Sequence, residues 1–122
     1  MIIDMDDGLQ LQFLFQTLGD VNRLRIIRII GTQSRSVSEI VGTTGMSQPL
    51  ASHHLRVLRE QNILKTKREG PFVYYELSDV RILDALGIFS EILINSRSNT
   101  KAIENMFSCR EQWMKFIQNK KT

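Results

Sequence analysis

The chain has 122 residues, 42% of them hydrophobic, which is enough for one modest core and leaves no room for a second, catalytic domain. Its single cysteine, Cys109, excludes a disulfide framework or a thiolate cluster within one chain, so a reducing, cytoplasmic setting is expected. The formal net charge is only +3, yet residues 1–20 hold aspartates and no base, whereas residues 21–75 hold nine Lys and Arg against Glu39, Glu60 and Glu69.

Leu11, Leu14, Phe15 and Leu18 recur at helical spacing while Leu9 and Phe13 fall on a second side, so the first helix is predicted to pack on more than one face. Asp20 suits the N-cap of the next helix, "VNRLRIIRIIG", in which Leu24 and Ile27 alternate with Arg23, Arg25 and Arg28 before Gly31 ends it. In "SVSE", Ser36 and Glu39 have capping-box spacing and open a short helix carrying Val37, Ile40 and Val41. Gly45 can end that helix in the left-handed conformation. Ser47 can cap a new helix almost at once, with Pro49 tolerated in its first turn. A tight two-helix turn follows.

After Asn62 the pattern becomes extended: "ILKTKRE" and "FVYYELS" flank a Gly70-Pro71 turn and predict a β-hairpin. Ser78 can cap a further helix over 79–95. Its Val80, Ile82, Leu83, Leu86, Ile88, Phe89, Ile92, Leu93 and Ile94 cover more circumference than one buried stripe needs. "NSRSNT" reads as a hinge or loop, and Ile103, Met106, Phe107, Trp113, Phe116 and Ile117 predict a last helix before a basic tail. No basic segment precedes an apolar stretch at the start, and no apolar run approaches the roughly 20 residues that span a bilayer, so no membrane partner is expected.

The two adjacent histidines of "GMSQPLASHHLRVLRE" need a role. At about 100° per residue, Ala51, Leu55 and Leu58 share one side of this helix and His53, Arg56 and Glu60 the opposite one. His54 falls at the flank of the apolar stripe, where it is expected to pack or hydrogen-bond within the domain. Adjacent histidines do not share a helical face, and no carboxylate or thiol sits at a matching position, which argues against a metal site. Pairing His53 with Ser47 or Ser52 as base and nucleophile lacks a buried acid and a Gly-rich elbow, and there is no phosphate-cradling loop; an enzyme is not expected. What remains is a capped short helix, a tight turn, a second helix polar and basic opposite its core face, and a basic hairpin. That order describes a winged helix-turn-helix: mainly α with a small β-hairpin, about six helices, the second helix of the turn entering a DNA major groove and the hairpin reaching a phosphate or minor groove. The basic middle of the chain suits such a polyanion.

From about Phe15 to Leu77, "LGDVNRLRII", "SVSEIVGTTGMSQPLASHHLRVLREQNIL" and "KREGPFVYYEL" resemble the ArsR (arsenical-resistance repressor) family of bacterial transcription regulators. The resemblance implies a homodimer that represses at a palindromic operator in double-stranded DNA and lets go when an inducer binds. It maps base reading onto Ser47, Gln48, Ser52, His53 and Arg56. Gln48 does not share the outward phase of His53; it belongs to the helix's first turn, whose end projects into the groove and where its amide can pair with adenine, and Ser47 has a competing role as N-cap. Lys65, Lys67 and Arg68 are the phosphate contacts expected of the wing, or else a solvated charge run.

The sequence departs from the family at its metal sites. Where many members carry Cys-Val-Cys, it reads Ser36-Val37-Ser38, and hydroxyls are poor ligands for soft metals. Where others carry Asp and His pairs, "DVRILDALGIFSEIL" offers Asp79, Asp84 and Glu91 but no histidine. Neither site, and no cofactor, is expected. Asp4, Asp6 and Asp7 read as a solvated acidic arm in preference to a hard-cation site. Cys109 is a candidate redox switch or simply a packed thiol; Met106, Phe107, Trp113 and Phe116 line either an effector pocket or a core or dimer interface. The first helix and the helix over 79–95 expose more apolar surface than one domain can cover, which fits a homodimer. Residues 1–96 are expected to form the DNA-binding and dimerisation domain, and 97–122 a helical extension packed on it or on the dimer. A winged-helix protein-interaction module and a thiol-responsive regulator are the alternative readings.

Overall fold

In the computed structural model, which describes residues 5–95, the chain runs α1 (Met5–Leu18), α2 (Val21–Ile30), β1 (Arg35–Ser36), α3 (Val37–Thr44), α4 (Gln48–Glu60), β2 (Leu64–Glu69), β3 (Phe72–Leu77) and α5 (Arg81–Asn95). The mainly helical reading holds, with five helices among the described residues. The sheet has one strand more than the expected hairpin: Arg35 and Ser36 pair antiparallel with Tyr75 and Tyr74, giving the order β1-β3-β2. The last predicted helix, the extension 97–122, Cys109, Asp4 and the side chain of Asp6 lie outside the described residues.

Local chemistry sets most boundaries. Asp20 Oδ1 accepts from the N–H groups of Asn22 (2.8 Å) and Arg23 (3.2 Å) and so starts α2. Gly31, at φ 55°, ends it by donating its N–H to Ile27 O. Ser36 Oγ accepts from Glu39 N–H at 3.2 Å and donates to the Glu39 carboxylate at 3.3 Å. The same residue closes β1 and caps α3, so the strand cannot extend further. Gly45, at φ 72° and ψ 8°, returns its N–H to Val41 O and turns the chain toward α4. At α5 the sequence reading misses by one residue: Asp79, not Ser78, accepts the Arg81 N–H at 2.9 Å, and its carboxylate also takes the Arg81 guanidinium at 2.7 Å.

The core joins Leu18 of α1, Ile26, Ile27 and Ile30 of α2, Ile40 of α3, Met46 of the turn, Ala51, Leu55 and Leu58 of α4, Ile63, and Leu64 and Leu77 of the sheet. Each large aliphatic side chain removed from water contributes about 1.5–3 kcal/mol. Of the arginines that alternate with apolar residues along α2, Arg25 is itself buried, at 3% exposure. Its Nη2 donates to the Thr44 carbonyl at 2.7 Å and its Nη1 to Asn22 Oδ1 at 3.3 Å, so the last turn of α3 is held from behind by α2. Thr44 completes the brace, since its hydroxyl donates to Ile40 O and accepts from Met46 N–H. The turn between α3 and α4 is therefore fixed by hydrogen bonds as well as by packing.

The junction from α4 to β2 is equally short. Asn62 adopts φ 59°, the left-handed region, and donates its N–H to Arg59 O, while Ile63 N–H reaches Leu58 O at 2.9 Å. Leu58 and Ile63 are both buried, which supplies the apolar contact that accompanies this helix ending. A β-branched residue at position 62 meets a left-handed penalty of about 1–2 kcal/mol. Asn62→Val is expected to lower unfolding free energy by about that amount in urea titrations while Asn62→Gly does not; equal midpoints for the parent and the valine variant would refute this role for the junction.

Candidate nucleic-acid interface

Helix α4 carries the candidate surface, and its own periodicity sorts the side chains. Ala51, His54, Leu55 and Leu58 are buried; Gln48, Ser52, His53, Arg56 and Glu60 are exposed. Gln48, Ser52 and Arg56 stand at successive four-residue steps and form one ridge, with His53 beside it. Ser47 is exposed too, but its Oγ accepts the Leu50 N–H at 3.3 Å, so the capping role anticipated for it is occupied. The five candidates therefore lie together on α4 and its cap.

The two histidines divide as their positions on the helix dictate. His53 faces solvent. His54 is 5% exposed, and its Nδ1 accepts from Arg23 Nε at 3.3 Å while Nε2 lies 4.0 Å from Asp20 Oδ1. Arg23 also donates through Nη1 to the Thr17 carbonyl at 3.0 Å. One imidazole thus fastens α4 to Arg23 in the first turn of α2 and, through Arg23, to the end of α1. An accepting Nδ1 places the proton of the neutral ring on Nε2, toward Asp20. Burial pushes the His54 pKa below its usual value; Asp20 opposes that shift, and Arg23 and His53, whose ring lies edge-on at 5.2 Å, reinforce it.

The hairpin β2-β3 separates the three basic candidates. In the register Lys65↔Glu76, Lys67↔Tyr74, Arg68↔Val73, the two lysines occupy one face with Glu69, Tyr74 and Glu76, and Arg68 the other with Thr66 and Val73. Lys65 Nζ lies 3.6 Å from Glu76 and Lys67 Nζ 3.2 Å from Glu69, whereas Arg68 makes no ion pair among the described residues. The exposed Lys67–Glu69 pair is worth about 0–1 kcal/mol, so a phosphate can displace its acid, whereas Glu76 is half-buried and also accepts from the Ser34 hydroxyl at 3.0 Å. Strand register could have revealed Glu76 as a partner, because a six-residue strand and a two-residue turn fix which residues face each other.

Ser36, at the place of the family's first thiolate, is committed to capping α3, and Ser38 is exposed. Among the described residues no group of three or more His, Cys, Asp or Glu converges where a metal ion could be held. Nor is any helix among them long and apolar enough to cross a membrane.

Residues 20–66, from the α2 cap through the first half of β2, match the family described as "Bacterial regulatory protein, arsR family". A Transcriptional repressor SmtB homolog from Synechocystis is 31% identical over 83 residues, covering 68% of this chain and 63% of that protein, a little under two thirds of its length. An uncharacterized HTH-type transcriptional regulator from Methanocaldococcus jannaschii is 30% identical over 80 residues, 65% of this chain and 90% of that one. The chain belongs to the ArsR family. Among solved structures, Mycobacterium tuberculosis Rv0081 superposes with a TM-score of 0.68 at 26% identity, over 78% of this chain and 95% of that chain. The ArsR-family match contains all of α2, α3 and α4, and with them the latch that His54 makes.

The latch has a pH signature. Because the folded-state pKa of His54 is depressed, its stabilising contribution is complete above the unfolded value of about 6.5 and is lost as pH falls through the folded value. The carboxyls of Glu39 and Asp79 are held low by Arg35 and Arg81, the latter at about 2, and act only in a more acidic window. Urea titrations between about pH 7.5 and about pH 5.5 are expected to show the parent losing stability on acidification and His54→Gln losing less; parallel losses would rule out the latch.

Proposed function

We propose that the protein is a homodimeric, cytoplasmic repressor that binds a palindromic operator in double-stranded DNA, with α4 in the major groove and the β2-β3 wing alongside. The observation that carries this reading is the division of α4: Ala51, Leu55 and Leu58 at 0% exposure against an open ridge of Gln48, Ser52 and Arg56 with His53 beside it. A helix so anchored presents a fixed set of donors and acceptors to base edges. Arg56 suits guanine through two donors, the Gln48 amide suits adenine, and Ser52 and His53 complete the reading surface. Lys65, Lys67 and Arg68 serve the phosphates and set affinity more than selectivity.

Dimerisation rests on surface that one chain leaves uncovered. Leu9, Leu11, Phe13 and Phe15 of α1 and Ile88, Phe89, Ile92, Leu93 and Ile94 of α5 are exposed. The rings of Phe15 and Phe89 meet edge to face at 6.2 Å, so the two helices contribute to one continuous apolar surface. A second copy covers it. Hydroxyls at Ser36 and Ser38, and the absence of histidine from 79–95, are the wrong donor chemistry for soft or borderline metals, so we assign release to an effector other than those ions.

On a duplex selected from a random-sequence library, His53→Ala combined with Arg56→Ala is expected to leave the fold intact and remove selectivity, at a cost of about 1–3 kcal/mol for each base no longer read. The parent's affinity should fall steeply with salt; a flat salt response together with unchanged footprints would favour a protein partner for this face. Light scattering after size exclusion should give twice the single-chain mass, and a single-chain mass at high concentration would contradict the dimer.

A further inference from the structure

The wing ends in an apolar point. Gly70, at φ 60°, and Pro71 form a two-residue turn between Glu69 and Phe72, which face each other across the ladder. Phe72 is 59% exposed, and every residue from Lys65 to Phe72 is exposed, so this end of the hairpin stands clear of the core. Isolated exposed apolar residues are ordinary on protein surfaces. This one is different in its setting: it adjoins a proline, sits at the tip of a projecting hairpin, and is bracketed by cations. Lys67 shares its face and Arg68 lies on the other. Lys67 also holds the Glu69 carboxylate at 3.2 Å, which mutes the one negative charge at the tip.

The turn gives the ring a stiff mount. Proline fixes its own φ near −65°, and position 70 needs a left-handed backbone although a Cβ there would meet nothing within 4 Å. A side chain that pushes between stacked bases must not be deflected while doing so. Reach is also adequate. A six-residue strand extends about 20 Å at about 3.3 Å per residue, and half a DNA helical turn, from a major groove to the neighbouring minor groove, is about 17 Å. The strand begins just after α4, separated from it only by Gln61, Asn62 and Ile63.

We propose that Phe72 is an apolar wedge that enters the minor groove beside the α4 contact and partly unstacks one base step, with Lys67 and Arg68 gripping the phosphates around it. The inference rests on the operator-binding reading and adds a residue and a mode of recognition to it. Unstacking costs least at pyrimidine–purine steps. Phe72 therefore confers a preference for such a step at the outer edge of each half-site, where no α4 side chain reads a base. In a symmetric dimer two wedges bracket the site.

The test uses the full chain and a duplex that the parent selects from a random-sequence library, carrying 2-aminopurine at successive positions near the half-site edges. Parent protein should raise 2-aminopurine fluorescence at one step per half-site. Phe72→Ala, which removes an exposed side chain and should keep the parent's urea midpoint, should abolish that rise and weaken binding roughly ten-fold, in line with the removal of one base–aromatic stack. Phe72→Leu should retain most of both. The salt slope should be unchanged in Phe72→Ala but reduced by about one in Arg68→Ala, separating the wedge from phosphate contact. Parent binding with no fluorescence rise, or with a Phe72→Ala variant of equal affinity, overturns the wedge and leaves operator binding standing. No parent binding to any duplex removes operator binding and the wedge together.

Discussion

Everything the outer side of α4 can do depends on how firmly its inner side is held. Ala51, Leu55 and Leu58 have no exposed surface, and they sit in one core with Ile26, Ile27, Ile30 and Ile40. A helix whose inner side chains are buried this completely resists rolling or sliding, because either would open voids in the core. Two polar fastenings sharpen the result: Arg25 to the Thr44 carbonyl behind the turn, and His54 to Arg23 across from the α2 cap. Apolar packing sets the depth of α4, and directional bonds set its rotation. A reading helix needs both, because a base edge accepts donors and acceptors only in a narrow geometry.

Much of this can be read from the chain because it is governed by short-range chemistry. Asp20, Ser36, Gly45 and Ser47 are recognisable as caps from residues no more than three positions away, and they are caps. The phase of α4 follows from the helical repeat of Ala51, Leu55 and Leu58, which also places His53 outside and His54 at the flank. The features that escape such a reading depend on distance along the sequence. Burial of Arg25 requires a carbonyl 19 residues away. Strand β1 is two residues long, too short to show alternation, and exists because Tyr74 and Tyr75 come alongside it. The candidate surface is legible to the same extent: its α4 members are placed on one helix and its cap by their spacing, and Lys67 and Glu69 share a face of β2 by strand alternation, whereas the pairing of Lys65 with Glu76 emerges only with the register of the hairpin.

Charge and apolarity are partitioned among the elements. Basic residues concentrate on α2, α4 and the wing, whereas α1 and α5 expose aliphatic and aromatic side chains. The two kinds of surface call for different neighbours, one a polyanion whose counterions can be released, the other an apolar face that excludes water. Separate elements serve them, so one can be occupied without displacing the other.

The left-handed Asn62 and its back-bonded neighbour Ile63 leave almost no slack between α4 and β2. Helix and hairpin are consequently arms of one lever with its elbow at that asparagine. With a strand about 20 Å long, a tilt of about ten degrees displaces the far end by about 3.5 Å, roughly the separation of two stacked base pairs. Any small tilt that helix and hairpin share is therefore magnified at the remote end of the hairpin, with no messenger other than a stiff backbone.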